Sequence, residues 1–175
     1  NSKEDPDENS VAYTDKCLGD FMSSIKNEEW YRNTLFIIVA DHSHNSPKGW
    51  KVAQKERFQI PMIWYGDVIK EEFKGKKHQK IGSQLDIAPT LLAQFNIDAN
   101  EYKFGKDLFN VNSQEFVPYA FPRGYGWIRP EGYYAFSQGY NRILENEANS
   151  NDEELRLKKE AELFFQLSFQ EYMDL

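Results

Sequence analysis

A run of apolar residues, Leu35 to Ala40, ends directly on Asp41 and His42, with His44 two positions beyond. The run is too short for a typical helix and has no polar face, so it predicts a strand covered on both sides. In open α/β sheets, ligands bind in the crevice beyond the carboxyl ends of the strands. A carboxylate and two imidazoles delivered there supply oxygen and nitrogen donors that suit a divalent cation. One geometric condition follows. Neighbouring residues on a regular strand point to opposite faces, so Asp41 and His42 can share a cation only where the chain has already left the strand. Ser43, Asn45, Ser46, Pro47 and Gly49 supply the turn chemistry for that departure. The same pair can instead cap a helix or satisfy loop backbone groups, and a further loop histidine such as His44 can simply be solvated. Spacing alone leaves both readings open.

Ahead of this segment, Tyr13, Cys17, Phe21 and Ile25 recur every four residues, with Leu18 and Met22 beside them. They draw one apolar helical stripe, so a helix packed against the core is expected, with Cys17 inside it. After it, Phe58 to Tyr65 reads as a second strand, with Pro61 allowed only at an edge or a strand start. The charged stretch Lys70 to Lys80 is expected to be a solvated surface, although Lys76, Lys77 or His78 can meet an anionic substrate. Ser83 to Phe95 predicts a helix with Asp86 at its cap, Pro89 in the first turn and a structural Thr90. Beyond Asn96 come short aromatic segments, Val117 to Phe121, Gly126 to Ile128, Tyr133 to Ser137 and Arg142 to Leu144. The turn residues between them predict an antiparallel meander. Ser150 with Glu153 fits a capping box for a final helix, whose apolar face carries Leu157, Ala161, Phe164, Phe165, Ser168 and Tyr172.

Composition narrows the function classes. Hydrophobic residues make up 40% of the 175-residue chain, enough for a packed core, and the formal net charge is −7. Without a basic patch, nucleic acid is not an expected partner. No apolar run approaches the ~20 residues of a membrane-spanning helix, so this stretch is expected to be soluble. The only cysteine, Cys17, precludes an internal disulfide. Because the sequence starts at Asn1 rather than at a methionine, an upstream portion is expected to be missing.

Three segments, in order, resemble a known family. Tyr13-Thr14-Asp15-Lys16-Cys17-Leu18-Gly19-Asp20-Phe21, followed by Trp30 to His42, is similar to the second half of the sulfatase-like catalytic domain of lipoteichoic acid synthases. Those enzymes belong to the alkaline phosphatase superfamily. Ile81 to Phe95 and the Phe104-Gly105-Lys106-Asp107-Leu108-Phe109 segment follow in the family's order, and the aromatic hairpins and last helix fit its C-terminal subdomain. The resemblance covers nearly the whole chain from Val11 onward.

The resemblance implies an α/β fold with a mainly parallel sheet flanked by helices, plus a small C-terminal antiparallel sheet and a terminal helix. Residues 1–110 would be the C-terminal half of the catalytic domain, and residues 111–175 the sheet and helix subdomain. It implies Asp41 and His42 as ligands of a catalytic cation, with His44 and His78 as candidates for a substrate or loop role. The nucleophile, a threonine in the synthases, lies upstream in the family pattern, so no catalytic nucleophile is expected in this chain, and alone it should be inactive. Cys17 does not replace it: sulfatases activate a Cys or Ser within C/S-x-P-x-R, whereas Cys17 precedes Leu18-Gly19-Asp20-Phe21.

A nitrogen donor at His42 favours manganese or zinc over calcium, which prefers an all-oxygen shell. The implied function is that of a metal-dependent phosphoglycerol transferase or hydrolase acting outside the cytoplasm. It would be tethered by N-terminal membrane helices absent here. Its implied partners are a phosphate- or sulfate-ester substrate, lipid- or glycan-linked, and the upstream half of the same domain. Two alternatives stay open: a sulfate-ester hydrolase, and a non-catalytic extracytoplasmic binding module.

Overall fold

The apolar run forms a strand, β1 (Phe36–Val39), in the computed structural model, which describes residues 6–43 and 49–174. It pairs antiparallel with β2 (Met62–Tyr65), Phe36 opposite Tyr65 and Val39 opposite Met62. Pro61 stands just before β2, where its missing N–H costs nothing, and its carbonyl accepts from the Ala40 N–H. The chain falls into two compact units. The first combines Asn1–Ala40 with Pro61–Lys76, and the second combines Asp41–Ile60 with Lys77–Leu175. The boundary expected between residues 110 and 111 runs inside the second unit.

Two expectations for the first unit need correction. The expected mainly parallel sheet is absent among the described residues, where both sheets are antiparallel throughout. The physical reason is the connection. A parallel pair needs a crossover, usually a helix, and the described part of the β1–β2 connection carries only a short 3-10 turn, Lys55–Phe58. Strand β1 is accordingly half-buried rather than covered on both faces. The second correction concerns α1 (Pro6–Ile25). Of the stripe it was expected to bury, only Ile25 is buried, while Tyr13, Cys17 and Phe21 are exposed. No described element packs extensively along this helix, so periodicity marked an apolar face without supplying a partner for it. The hairpin itself is held by an aromatic cluster. The Phe36 ring meets those of Trp30, Tyr31 and Tyr65, and the Tyr31 and Tyr65 hydroxyls are 3.2 Å apart.

The second unit is built on the predicted meander. Strands β3 (Val117–Phe121), β4 (Gly124–Arg129), β5 (Gly132–Ser137) and β6 (Arg142–Asn146) lie in that order, each antiparallel to the next. Side chains alternate between the two faces. On one face, Tyr125, Trp127 and Tyr134 pack with Leu157 and Ala161 of the terminal helix, flanked by Phe116, Phe164 and Phe165. Phe116 stacks on Trp127 at 5.0 Å between ring centroids, a contact worth about 0.5–1.5 kcal/mol beyond its buried area. That helix, α3 (Asn151–Met173), starts at the expected cap, with the Glu153 carboxylate accepting from the Asn149 N–H rather than closing a capping box. The Ser150 hydroxyl accepts from the Glu153 N–H, and three acidic residues in its first turn complement the helix dipole. On the other face, Tyr119, Phe121 and Ala135 pack with Ala53, Phe58, Ile128 and Leu144.

Helix α2 (Ile87–Gln94) follows a 3-10 turn, Gln84–Asp86, closed by a capping box between Ser83 and Asp86. Asp86 is fully buried. Its Oδ2 accepts from the Ser83 N–H (2.7 Å) and from Lys106 Nζ (2.8 Å), and its Oδ1 accepts from the Lys106 N–H (2.9 Å). Lys106 Nζ also donates to the Phe116 carbonyl (2.8 Å). Burial pulls the Lys106 ammonium below its usual range, with Asp86 acting in the opposite direction. Thr90, structural as expected, accepts from the Leu108 N–H and donates to the Lys106 carbonyl. No described helix is long and apolar enough to cross a membrane.

Breaking a buried ion pair by removing one partner leaves an uncompensated charge, at a cost of about 3–5 kcal/mol. We therefore expect Asp86→Ala to lower the unfolding free energy by about that amount in urea titrations, whereas a loss below 1 kcal/mol, roughly that of an exposed pair, would show that the charge is not isolated from water. Alkaline pH tests the aromatic core. The hydrogen bond shared with Tyr65, with burial, pushes the Tyr31 phenol up to about 12, and burial does the same to Tyr134. Because the folded values lie above the ordinary 10, the folded state favours the neutral phenols. Their contribution to stability is complete below pH about 10 and is lost as pH rises through about 12. Tyrosinate absorbance should show a late-titrating fraction that merges with unfolding, and a single reversible step near the ordinary value would contradict this packing.

Candidate functional site

Strand β1 ends at Val39, and Asp41 and His42 follow in a bend of the chain. The condition for two successive side chains to converge is therefore met: the backbone has left the strand. Local hydrogen bonds fix both side chains. The His42 N–H donates to Asp41 Oδ1 (2.8 Å), which leaves Oδ2 turned toward the imidazole. His42 Nδ1 lies 3.0 Å from the Ser43 carbonyl. Since a carbonyl only accepts, Nδ1 carries the proton and Nε2 presents its lone pair. Asp41 Oδ2 and His42 Nε2 are 3.5 Å apart, and both side chains are largely exposed. Donor atoms about 3.3–3.6 Å apart are what a tetrahedral shell with bonds of about 2.0–2.2 Å requires. The donor set thus fits a borderline divalent ion, one carboxylate oxygen and one imidazole nitrogen with its second-shell partner in place. Among the described residues no cluster of three or more His, Cys, Asp or Glu side chains completes such a shell.

The bend is held from outside as well. Gln84 Nε2 donates to the Asp41 carbonyl (3.1 Å), and Gln84 belongs to the 3-10 turn anchored by the Asp86–Lys106 pair. Beside the bend lies a cleft of about 240 Å³ lined by His42, Ser43, Val52, Arg57, Phe58, Ala120, Phe121 and Pro122. Its walls come from the 50s loop and from the end of β3. Tyr119 joins the two: its ring lies across Gly126, where an added Cβ would come within 2.0 Å of it, and its hydroxyl donates to the Ala53 carbonyl (2.7 Å). Phe58 packs on the same ring at 4.4 Å.

The other expected site residues fare differently. His44 lies outside the described residues. His78 is held by the Leu108 carbonyl, to which its Nε2 donates (2.9 Å), and its ring meets Phe109 edge-on. No described contact joins it to Asp41 or His42, and Lys76 and Lys77 are exposed. Cys17 is exposed on α1. Sequence reasoning missed Ser43, Arg57 and Gln84. Arg57 is one of four cations in the polar stretch from Lys48 to Arg57, and nothing in the sequence tied Gln84 to the Asp-His bend.

Comparison with known proteins gives this geometry a family. The chain is 24% identical to lipoteichoic acid synthase 2 of Bacillus subtilis (strain 168), over 88% of this chain and 25% of that protein. With lipoteichoic acid synthase 1 of the same organism the identity is 27%, over 63% of this chain and 19% of that protein. The chain thus spans a quarter or less of the length of these relatives. Among solved structures, a protein in the alkaline phosphatase superfamily from Vibrio parahaemolyticus superposes with a TM-score of 0.73 at 20% identity, over 98% of this chain and 44% of that one. That likeness shows the fold. The sulfatase family model matches residues 7–97, just over half of the chain and including α1, both strands of the hairpin, Asp41, His42 and α2, and the chain belongs to the sulfatase family.

Proposed function

We propose that this chain is the C-terminal part of a metal-dependent, sulfatase-like phosphoglycerol transferase or hydrolase that acts on phosphate esters outside the cytoplasm. Asp41 and His42 are the ligands it contributes to the catalytic cation. The observation that carries this reading is the convergence of Asp41 Oδ2 and His42 Nε2 at 3.5 Å on a bent backbone. His42 Nδ1–H is tied to the Ser43 carbonyl, so the ring keeps the tautomer that leaves Nε2 free. Asp41 brings the negative charge, and Gln84 holds its backbone in place. A cation bound there would neutralise charge developing on ester oxygens and lower the pKa of a coordinated hydroxyl. The nitrogen ligand points to manganese or zinc rather than calcium. The remaining ligands and the nucleophile are assigned to the upstream part of the same domain.

Metal content tests the assignment. In the complete protein, Asp41→Ala and His42→Ala should each lower bound manganese or zinc well below one equivalent, measured by elemental analysis after dialysis. Unchanged content in both variants would remove the two residues from the shell.

A second reading is favoured by the name of the matching family model, that the ester cleaved is a sulfate. Aryl phosphate and aryl sulfate assayed side by side with the complete protein decide between them. The 175-residue chain alone should turn over neither. Removal of a nucleophile forfeits rates by up to roughly 10⁶-fold in well-studied catalytic units. Metal-dependent turnover by this chain, abolished by Asp41→Ala, would show that it holds a whole site.

A further inference from the structure

We propose that the cleft beside the Asp-His bend is a substrate-selecting pocket. In it, Arg57 and the Ser43 hydroxyl would hold a tetrahedral oxyanion, and the end of β3 with the 50s loop would hold an apolar group esterified to it. The inference rests on the reading of Asp41 and His42 as the reacting end of the site, and it names the class of ester presented to them.

The lining is divided by chemistry. His42, Ser43 and Arg57 supply its polar groups, and Val52, Phe58, Ala120, Phe121 and Pro122 supply apolar wall. The Arg57 guanidinium makes no hydrogen bond or ion pair among the described residues, although the backbone that carries it is fixed by a 3-10 turn. Ser43 Oγ is buried and has no hydrogen-bond partner among the described residues. A buried hydroxyl left unsatisfied is costly unless a ligand completes it. A planar guanidinium with free N–H groups matches phosphate or sulfate oxygens in a bidentate fashion.

Size limits the organic part. A dry cavity of about 150 Å³ accepts benzene, so about 240 Å³ holds a ring-sized apolar group next to an oxyanion. Tyr119, clamped over Gly126 and bonded to Ala53, keeps the two walls at a fixed separation. The C-terminal sheet is therefore part of the substrate site.

The test uses the isotopically labelled complete protein without metal, titrated with 4-nitrophenyl phosphate, 4-nitrophenyl sulfate, inorganic phosphate and inorganic sulfate, and followed by NMR. The nitrophenyl esters should bind several-fold tighter than the matching inorganic ions, with shifts confined to the Arg57 guanidinium and the amides of Phe121 and Ser43. Arg57→Gln should weaken every probe about tenfold. Val52→Trp, which fills the apolar end, should remove the advantage of the esters and leave the inorganic ions unaffected. The spectra of the free variants report whether each is folded. The titration contains no metal, so a failed cation assignment shows only in metal content, and a failed pocket only here. Equal affinity for ester and inorganic ion, unchanged binding in Arg57→Gln, or shifts centred elsewhere would each overturn the proposal.

Discussion

A carboxylate with no access to water needs every lone pair answered, and Asp86 is answered from three sides. Ser83, the Lys106 backbone and the Lys106 ammonium all donate to it. None of the three donors is optional, because an unpaired buried charge costs several kcal/mol. The consequences spread along the chain. The 3-10 turn that Asp86 closes carries Gln84, which holds the Asp41 carbonyl. The ammonium that neutralises Asp86 also caps the Phe116 carbonyl, one residue before β3 begins. One ion pair thus fixes both the bend that bears the proposed ligands and the entry to the sheet that walls the cleft.

The sheet then does two jobs with one alternation. Tyr125, Trp127 and Tyr134 turn toward α3 and make a dense aromatic core. Tyr119, Phe121 and Ala135 turn the other way and grip the 50s loop. Gly126 matters here because it sits opposite Tyr119 in the register, and any side chain at that place would collide with the ring. With the ring flat on the sheet, its hydroxyl reaches the Ala53 carbonyl. A loop with little regular structure is held at two points by one aromatic side chain.

How much of this was legible follows from the range of the interactions. The hairpin meander and the capped terminal helix were readable because turn residues and caps act within a few positions. The Asp-His pair was readable because it ends a run of strand-forming residues. The direction of strand pairing was not, since β1 gives the same apolar run whether its neighbour is parallel or antiparallel. Neither was the fate of the α1 stripe: Tyr13, Cys17 and Phe21 have helical periodicity, but periodicity does not say what covers the face. His78 was read for a substrate or loop role, and its Nε2 donates to the Leu108 carbonyl, a contact across thirty residues that no local pattern encodes. Arg57 and Gln84 were missed for the same reason.

The exposure of Asp41 and His42 is itself informative about how such a pair is organised. Burial does not orient these side chains, so their convergence has to come from directional bonds, and both are local: His42 N–H to Asp41 Oδ1, and His42 Nδ1 to the Ser43 carbonyl. Each bond consumes the atom that faces away from the partner and leaves Oδ2 and Nε2 turned toward each other. Preorganisation of this kind needs little more than a bend of the right shape, and the shape is imposed by Gln84 and, through it, by the buried Asp86–Lys106 pair. An exposed site can in this way inherit its precision from a buried charge pair.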